Sequence, residues 1–266
     1  MIDIHPSAVV DPHAELGEDV VVGPYCIVGP NVTIGAGTRL MSHVVVDGYT
    51  TMGERNLVYP FAALGLLAQH KRSNAPDAVL TIGDDNTFRE HVTAHVGSEV
   101  DNKITTIGNR NLFLVASHIA HDCVLGDDIV MSNNATLAGH VHVGNKAIIG
   151  GLAAVLQFTR IGEGAMIGGM AGITRDVIPY GLVMGGGRST LSGLNLIGLQ
   201  RAGTPKEEIM TLQKAYKALF NREDQRLFAE RLADLEQNPE FSQNALVKTV
   251  IEFVKHPSKN NILQPE

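Results

Sequence analysis

Residues 4–28 read IHPSAVVDPHAELGEDVVVGPYCIV. An aliphatic side chain returns at every sixth position, Ile4, Val10, Leu16, Val22 and Val28, and the fourth residue after each is small or β-branched: Ala8, Ala14, Val20, Cys26 and Val32. Period six matches neither an amphipathic helix nor the two-residue alternation of an ordinary strand. The frame continues through Ile34, Leu40, Val46, Met52, Val58 and Leu64, breaks over LLAQHKRSNAPDAV, and resumes in phase at Ile82, Phe88 and Ala94. A second interruption near 97–105 shifts it by one residue, after which it runs unbroken from Ile107 to Ile173. Such a repeat suits a coil with three short flat sides, each presenting one large and one small residue inward. The Gly that often follows the aliphatic residue is expected to turn the corner through its freedom in backbone angle. Three hexads then make an eighteen-residue lap, and laps stack as parallel strands about 4.8 Å apart. The fold class read from this pattern is mainly β, a hexapeptide parallel β-helix.

The pattern stops after Ile173 at the Pro- and Gly-rich DVIPYGLVMGGG. Beyond it, TPKEEIMTLQKAYKALF predicts a helix with Thr204 as cap, Pro205 in the first turn and Glu207 closing a capping box. Helical spacing recurs at Phe228, Leu232 and Leu235, and again at Val247, Val250, Ile251 and Val254. The chain therefore divides into a coil over 1–189, with inserted loops near 66–79 and 97–105, and a small domain of about three helices over 190–266.

Composition narrows the function. Tryptophan is absent and aromatics are 5% against 44% hydrophobic residues, so Val, Ile, Leu and Ala must fill the interior. A net charge of −7 argues against nucleic-acid binding, which needs clustered Lys and Arg. Residues 190–266 nevertheless hold 10 basic and 10 acidic side chains, enough for a local basic patch. The start MIDIHPSAVV has no signal-peptide character, and no run is long and apolar enough to span a membrane, so a cytoplasmic location is expected. Cys26 and Cys123 are expected to be reduced.

The densest chemistry lies in SHIAHDC, residues 117–123. With an eighteen-residue lap His121 stacks under Gly139, and Gly139 under Gln157, while His140 adjoins the His121–Asp122 pair one lap on. His118 closes the preceding hexad, near a corner. Asp beside His is the arrangement that fixes an imidazole tautomer and supports a general base. Cys123 takes a small inward position and is read as packing; His5, His13, His43 and His142 are read as solvated turn residues. Metal binding is the rival chemistry, through His118-x2-His121, His140-x-His142 or His91-x3-His95, since three imidazoles can hold an open-site zinc. Those spacings differ from the ones in the gamma-class carbonic anhydrases, a β-helix group without a helical C-terminal domain.

At IAHDC and NNATLAGHVHVG the chain closely resembles the UDP-N-acetylglucosamine O-acyltransferases that begin lipid A synthesis, and IHPSAVV, GPYCIVGP, SHVVVDG and the closing helices extend the likeness over nearly the whole length. The resemblance implies a left-handed coil and a homotrimer with sites between neighbouring coils. It also implies acyl carrier protein as donor, a UDP-sugar as acceptor, and no metal or redox cofactor. His121 would be the general base, Asp122 its orienting partner and the Gly139 N–H the oxyanion donor. His118, His140, Gln157, Lys71, Arg72, Asn195 and Arg201 would bind substrate, and Gly169 would sit at the acyl-length ruler and leave room for a longer 3-hydroxyacyl chain. Arg201, Lys206, Lys214 and Lys217 would steer an acidic carrier protein.

Three motifs depart from the family. Gln69-His70-Lys71-Arg72 stands where QDLK is usual, Leu156-Gln157-Phe158 where His-Gln-Phe is usual, and the helix-opening motif runs Asn195-Leu196-Ile197-Gly198-Leu199-Gln200-Arg201-Ala202, without its carboxylate and second arginine. All of these fall in substrate recognition and none in the His121 machinery. A 3-amino sugar nucleotide, giving N-acylation, is the alternative acceptor, and a non-catalytic trimeric paralogue is the alternative of another class.

Overall fold

The structure is a computed structural model that describes residues 1–71, 75–99, 102–186 and 189–265. It is a left-handed parallel β-helix of triangular section, closed at its C-terminal end by helices. Among the described residues, strands of mostly two residues build three sheets of eleven, nine and eight strands, and the strands of the coil pair in parallel with those a lap away, as in Asp3↔Val21 and Val21↔Arg39. The two insertions leave the register a simple signature. Leu57 pairs with Thr87, thirty residues on, so the first insertion adds twelve residues, two whole hexads, and preserves phase. Thr87 pairs with Leu112, twenty-five residues on, so the second adds seven and moves the frame by one.

The inward positions are those the repeat marks. From Val22 to Ile173 the large member of each hexad is buried, and the small members Val20, Cys26, Val32, Cys123, Ala135, Val141, Ala147, Ala153 and Ala165 are buried beside them. Ile4 stays 43% exposed, and Val10 and Leu16 are half-buried, because no lap lies beneath the first. On the laps that carry the insertions Asn56, Asn86 and Asn111 take the small position. Asn56 Oδ1 accepts the Asn86 N–H at 2.9 Å, Asn86 Oδ1 the Asn111 N–H at 2.9 Å, and Asn111 Oδ1 the Ile129 N–H at 2.7 Å. These buried amides replace hydration with lap-to-lap bonds just where chain has been spliced in.

The glycines do something other than turn corners. The left-handed backbone falls on the third residue after the aliphatic one, and it is mostly not glycine: Asp19, His43, Arg55, Asp122, Asp128, Asn134, His140 and Lys146 have φ between 53° and 61°. Asp, Asn and His tolerate this region better than most side chains. Gly23, next to Val22, is required by close approach instead, since a Cβ there would lie 1.7 Å from the Met41 carbonyl oxygen of the next lap.

Past the coil, Gly181–Val183 adds a last parallel strand and Leu191–Leu194 pairs with it antiparallel, so the sheet extends beyond the expected boundary at residue 189. Five helices follow, α1 (Leu196–Arg201), α2 (Lys206–Leu219), α3 (Phe228–Gln237), α4 (Pro239–Ser242) and α5 (Ala245–Lys255), two of them too short to show a stripe in the sequence. Thr204 does not cap α2: Pro205 holds the cap position in extended backbone with no side-chain bond, and the helix starts at Lys206. Leu212, Leu219, Val247 and Ile251 bury against Ile178 and Leu194 and close the open end of the coil. The chain after α5 returns to the coil, where Asp176 bonds Asn261 and Leu263 through the backbone.

Gly23→Ala should lower stability by about 1–3 kcal/mol through overpacking against the next lap. Lys146→Gly, at φ 58°, should stay within about 0.5 kcal/mol, since relief of the left-handed backbone offsets the added freedom of the unfolded chain. Urea unfolding of the two variants checks the contrast.

Candidate active site

The hexads opening at Ile119 and Leu137 place His121 and Gly139 at the same position on successive laps, with Asp122 and His140 at the left-handed corner beside them. The stacking is close. A Cβ at Gly139 would lie 2.4 Å from His121 Cε1 and 2.7 Å from Nε2, so only glycine leaves room for the ring that rests on it. His140 stands edge-on to His121 with centroids 5.2 Å apart, and its other side stacks on Phe158 at 4.4 Å and 16°.

His121 Nδ1 donates to Asp122 Oδ2 at 2.7 Å, which leaves Nε2 unprotonated on the neutral ring and directed toward Gly139. The Asp122 side chain is 1% exposed. Burial alone would push its pKa up; hydrogen bonds from His121 and Ser98 outweigh this and, with His140 nearby, hold it below the usual carboxylate range. The Gly139 N–H meets no acceptor among the described residues. Its freedom is built into the repeat, because the same hexad position elsewhere is Pro6, Pro12, Pro24, Pro30 and Pro60, and the coil asks for no donor there. A basic nitrogen, a carboxylate behind it and an unused amide thus meet on one edge, which is what proton abstraction beside a developing oxyanion requires.

The other expected residues divide. His118 opens the strand His118–Ile119, two residues past the corner at Ala116; its Nδ1 bonds Thr93 Oγ1 at 2.8 Å and burial, helped by His121, pushes its pKa down. Gln157 is exposed beside Phe158, and its backbone carbonyl accepts from Asn260 of the C-terminal segment. Gly169 is exposed one lap from Gly151, whose carbonyl oxygen a Cβ would meet at 3.1 Å, beside the exposed corner residues Leu152 and Met170. Lys71 is on an exposed turn, and Arg72 lies outside the described residues. Asn195 caps α1, accepting from the Gly198 N–H at 3.0 Å while its amide donates to the Gly164 carbonyl. Arg201 is exposed in the last turn of that helix, and Ile197 and Ala202 are exposed with it. Asn195, at the start of α1, sits against the lap of Gly164, more than two laps beyond His121.

Other neighbours carried no signal in the sequence. His70, from the first insertion, packs edge-on against His121 at 5.6 Å, with its Nδ1 buried and without a partner among the described residues. Ser98 and Thr105, at the two ends of the second insertion, both bond Asp122. Lys259 rests over the Phe158 ring at 3.7 Å. Cys123 is packing, as expected: burial pushes its thiol up to about 12 and it donates to the Ala138 carbonyl.

Among the described residues one group has ligand atoms close enough for a metal, His121, Asp122 and His140, within 4.8 Å of one another. Both Asp122 oxygens already accept hydrogen bonds, so a cation there would have to displace the contact that orients His121. Of the spacings the rival metal reading used, His118 and His142 are not in this group. Among the described residues no helix is long and apolar enough to cross a membrane.

Comparison with known proteins sets this geometry in a family. The "Udp N-acetylglucosamine O-acyltransferase; Domain 2" model matches residues 176–263, and the bacterial transferase hexapeptide model matches 2–36 and 13–48. The acyl-[acyl-carrier-protein]–UDP-N-acetylglucosamine O-acyltransferase of Caulobacter vibrioides is 46% identical over 265 residues, spanning 100% of this chain and 99% of its own. The chain belongs to that acyltransferase family. The solved UDP-N-acetylglucosamine acyltransferase from Campylobacter jejuni superposes with a TM-score of 0.92 at 34% identity over 99% of this chain and 100% of its own. The Arabidopsis enzyme does so with 0.85 at 34% identity over 98% and 100%. The acyltransferase likeness therefore covers coil and helical cap together.

His95 gives the cluster a measurable pH signature. It is 4% exposed, and burial, with His118 and His121 nearby, lowers its pKa to about 4. An unfolded-state histidine titrates near 6.5, so between about 6.5 and 4 the unfolded chain binds a proton that the folded one refuses. Stability is lost as pH falls through that window. In His95→Gln the loss between pH 7 and 4.5 should be smaller by about 2 kcal/mol, read from urea unfolding at the two pH values.

Proposed function

We propose that this chain transfers a 3-hydroxyacyl group from acyl carrier protein to the 3-hydroxyl of UDP-N-acetylglucosamine, with His121 as general base. The observation that carries the reading is the His121 ring, bonded through Nδ1 to buried Asp122 and resting on Gly139. In the forward step Nε2 takes the sugar hydroxyl proton as that oxygen bonds to the thioester carbonyl carbon. The carbonyl oxygen gains the negative charge and accepts from the Gly139 N–H. Collapse breaks the carbon–sulfur bond, and the imidazolium returns its proton to the departing thiolate. The positioned base contributes about 10²–10⁴ in rate, and the oxyanion donor about 3 kcal/mol.

His140, His118 and Gln157 border the base and are assigned to holding the sugar or the thioester. Lys71, Arg72, Asn195 and Arg201 are assigned to the nucleotide and its phosphates. Asn195 and Arg201, held on α1 against the lap of Gly164, fit a homotrimer in which a neighbouring coil completes each site. Exposed Leu152 (62%) and Met170 (68%), stacked at the corner beside the Gly169 notch, fit a groove for the acyl chain between two coils. Gly169→Met should shift preference toward shorter acyl donors, each excluded methylene removing about 0.8 kcal/mol of burial.

The test is mass spectrometry of products from purified protein, a mixed pool of 3-hydroxyacyl carriers, and both UDP-N-acetylglucosamine and its 3-amino analogue. Ester product from the first sugar is expected; amide product alone would reassign the acceptor. His121→Ala should lose at least about a hundredfold in kcat, and Gly139→Ala, whose methyl displaces the ring, at least about tenfold with the fold retained. Turnover by His121→Ala equal to wild type would remove the base assignment.

A further inference from the structure

We infer that Ser98 is a positioning residue for the His121–Asp122 pair, so that the splice in the second insertion serves the chemistry as well as the coil. This rests on the acyl-transfer reading above. Ser98 is fully buried, four residues after Ala94, in what the repeat makes a small inward position. Its backbone N–H donates to Asp122 Oδ1 at 2.9 Å and its hydroxyl donates to Asp122 Oδ2 at 2.5 Å. Oδ2 is also the atom that accepts from His121 Nδ1. From the other end of the insertion the Thr105 hydroxyl, equally buried, accepts the Asp122 N–H at 2.8 Å and fixes a backbone held at φ 59°. Each polar group of Asp122 that faces the base is thereby held by one of two residues that bracket the inserted chain.

The consequence for the base is electrostatic. A carboxylate taken out of water must be compensated by donors or it takes up a proton. Asp122 accepts from the Ser98 N–H, the Ser98 hydroxyl and His121 Nδ1 among the described residues. Among the described residues the titratable groups around the carboxylate are His121, bonded to it, His140, with Nε2 3.7 Å from Oδ2, and the buried Cys123 thiol, while His70, His95 and His118 lie around the His121 ring. Removing the Ser98 hydroxyl leaves more charge on the oxygen that His121 touches. Whether that oxygen then draws the proton on His121 more strongly or becomes protonated itself, the fraction of enzyme with a free His121 Nε2 and an ionised Asp122 falls at a given acidic pH. The acidic limb of the rate profile must move to higher pH. A serine that only filled space would leave the limb where it was.

Ser98→Ala and Ser98→Thr are compared with wild type in kcat, in KM for the nucleotide sugar and in the pH dependence of kcat, with thermal unfolding recorded for each. Ser98→Ala should lower kcat by about tenfold, move the acidic limb upward by about half a pH unit or more, and leave KM within about twofold. Ser98→Thr, which keeps the hydroxyl, should restore the limb. Should Ser98→Ala fail to fold, Ser98→Cys, nearly isosteric and a weak donor, carries the same comparison. An unmoved limb in the alanine or cysteine variant, with or without a drop in unfolding temperature, overturns the proposal. The His121 imidazole ¹⁵N titration, followed by NMR without substrate, separates the two readings. If wild type makes no acyl product, the proposed function fails, and a His121 titration that is the same in wild type and Ser98→Ala would then sink the Ser98 assignment separately.

Discussion

Every lap of this coil must hydrogen-bond to the next at a fixed spacing of about 4.8 Å, and that constraint assigns a task to each place in the hexad. The large inward residue fills the lumen, and the residue after it is pressed against the neighbouring lap so closely that Gly23 tolerates no side chain. The next place has an N–H that the coil leaves unbonded, where proline is free to stand. The third carries the left-handed bend. At most laps these places hold packing or solvated residues. At two successive laps they hold His121 and Gly139, then Asp122 and His140, and the same spacing that builds the wall brings a base against an amide.

The insertions illustrate how a strict repeat accommodates irregular chain. Twelve residues enter after the lap of Leu57 and seven after that of Thr87, and in both cases pairing resumes with full register. The buried amides of Asn56, Asn86 and Asn111 bind these laps to each other across the splices. Both splices touch the site, the first through His70 and the second through Ser98 and Thr105. The regular part of the coil supplies the base and the amide, and the irregular parts supply what surrounds them.

The far end of the chain is tied to the same place. Helices α2 and α5 close the lumen, and the segment after α5 runs back along the coil, with Asn260 on the Gln157 carbonyl and Lys259 over Phe158. Phe158 stacks on His140, which in turn stands against His121. A cation on one ring face and an imidazole on the other make a continuous column from the C-terminal segment to the base.

The sequence alone determined the winding and the stacking of His121 under Gly139, because both follow from a period of six and a lap of eighteen that any aliphatic ladder displays. It also marked Asp122 as the partner of His121, since neighbours in the chain need no fold to meet. It misassigned the glycines that follow the aliphatic residue, which serve close contact between laps. It marked His70 only as a departure in a recognition motif, with no contact to His121, and was silent on Ser98, Thr105 and Lys259. A serine in a small inward place has the same pattern as an alanine, and contacts made across 24 or 17 positions by spliced chain have no periodicity to betray them. Those were decided only when the insertions folded back onto the coil, where burial of one carboxylate demanded donors that local sequence did not supply.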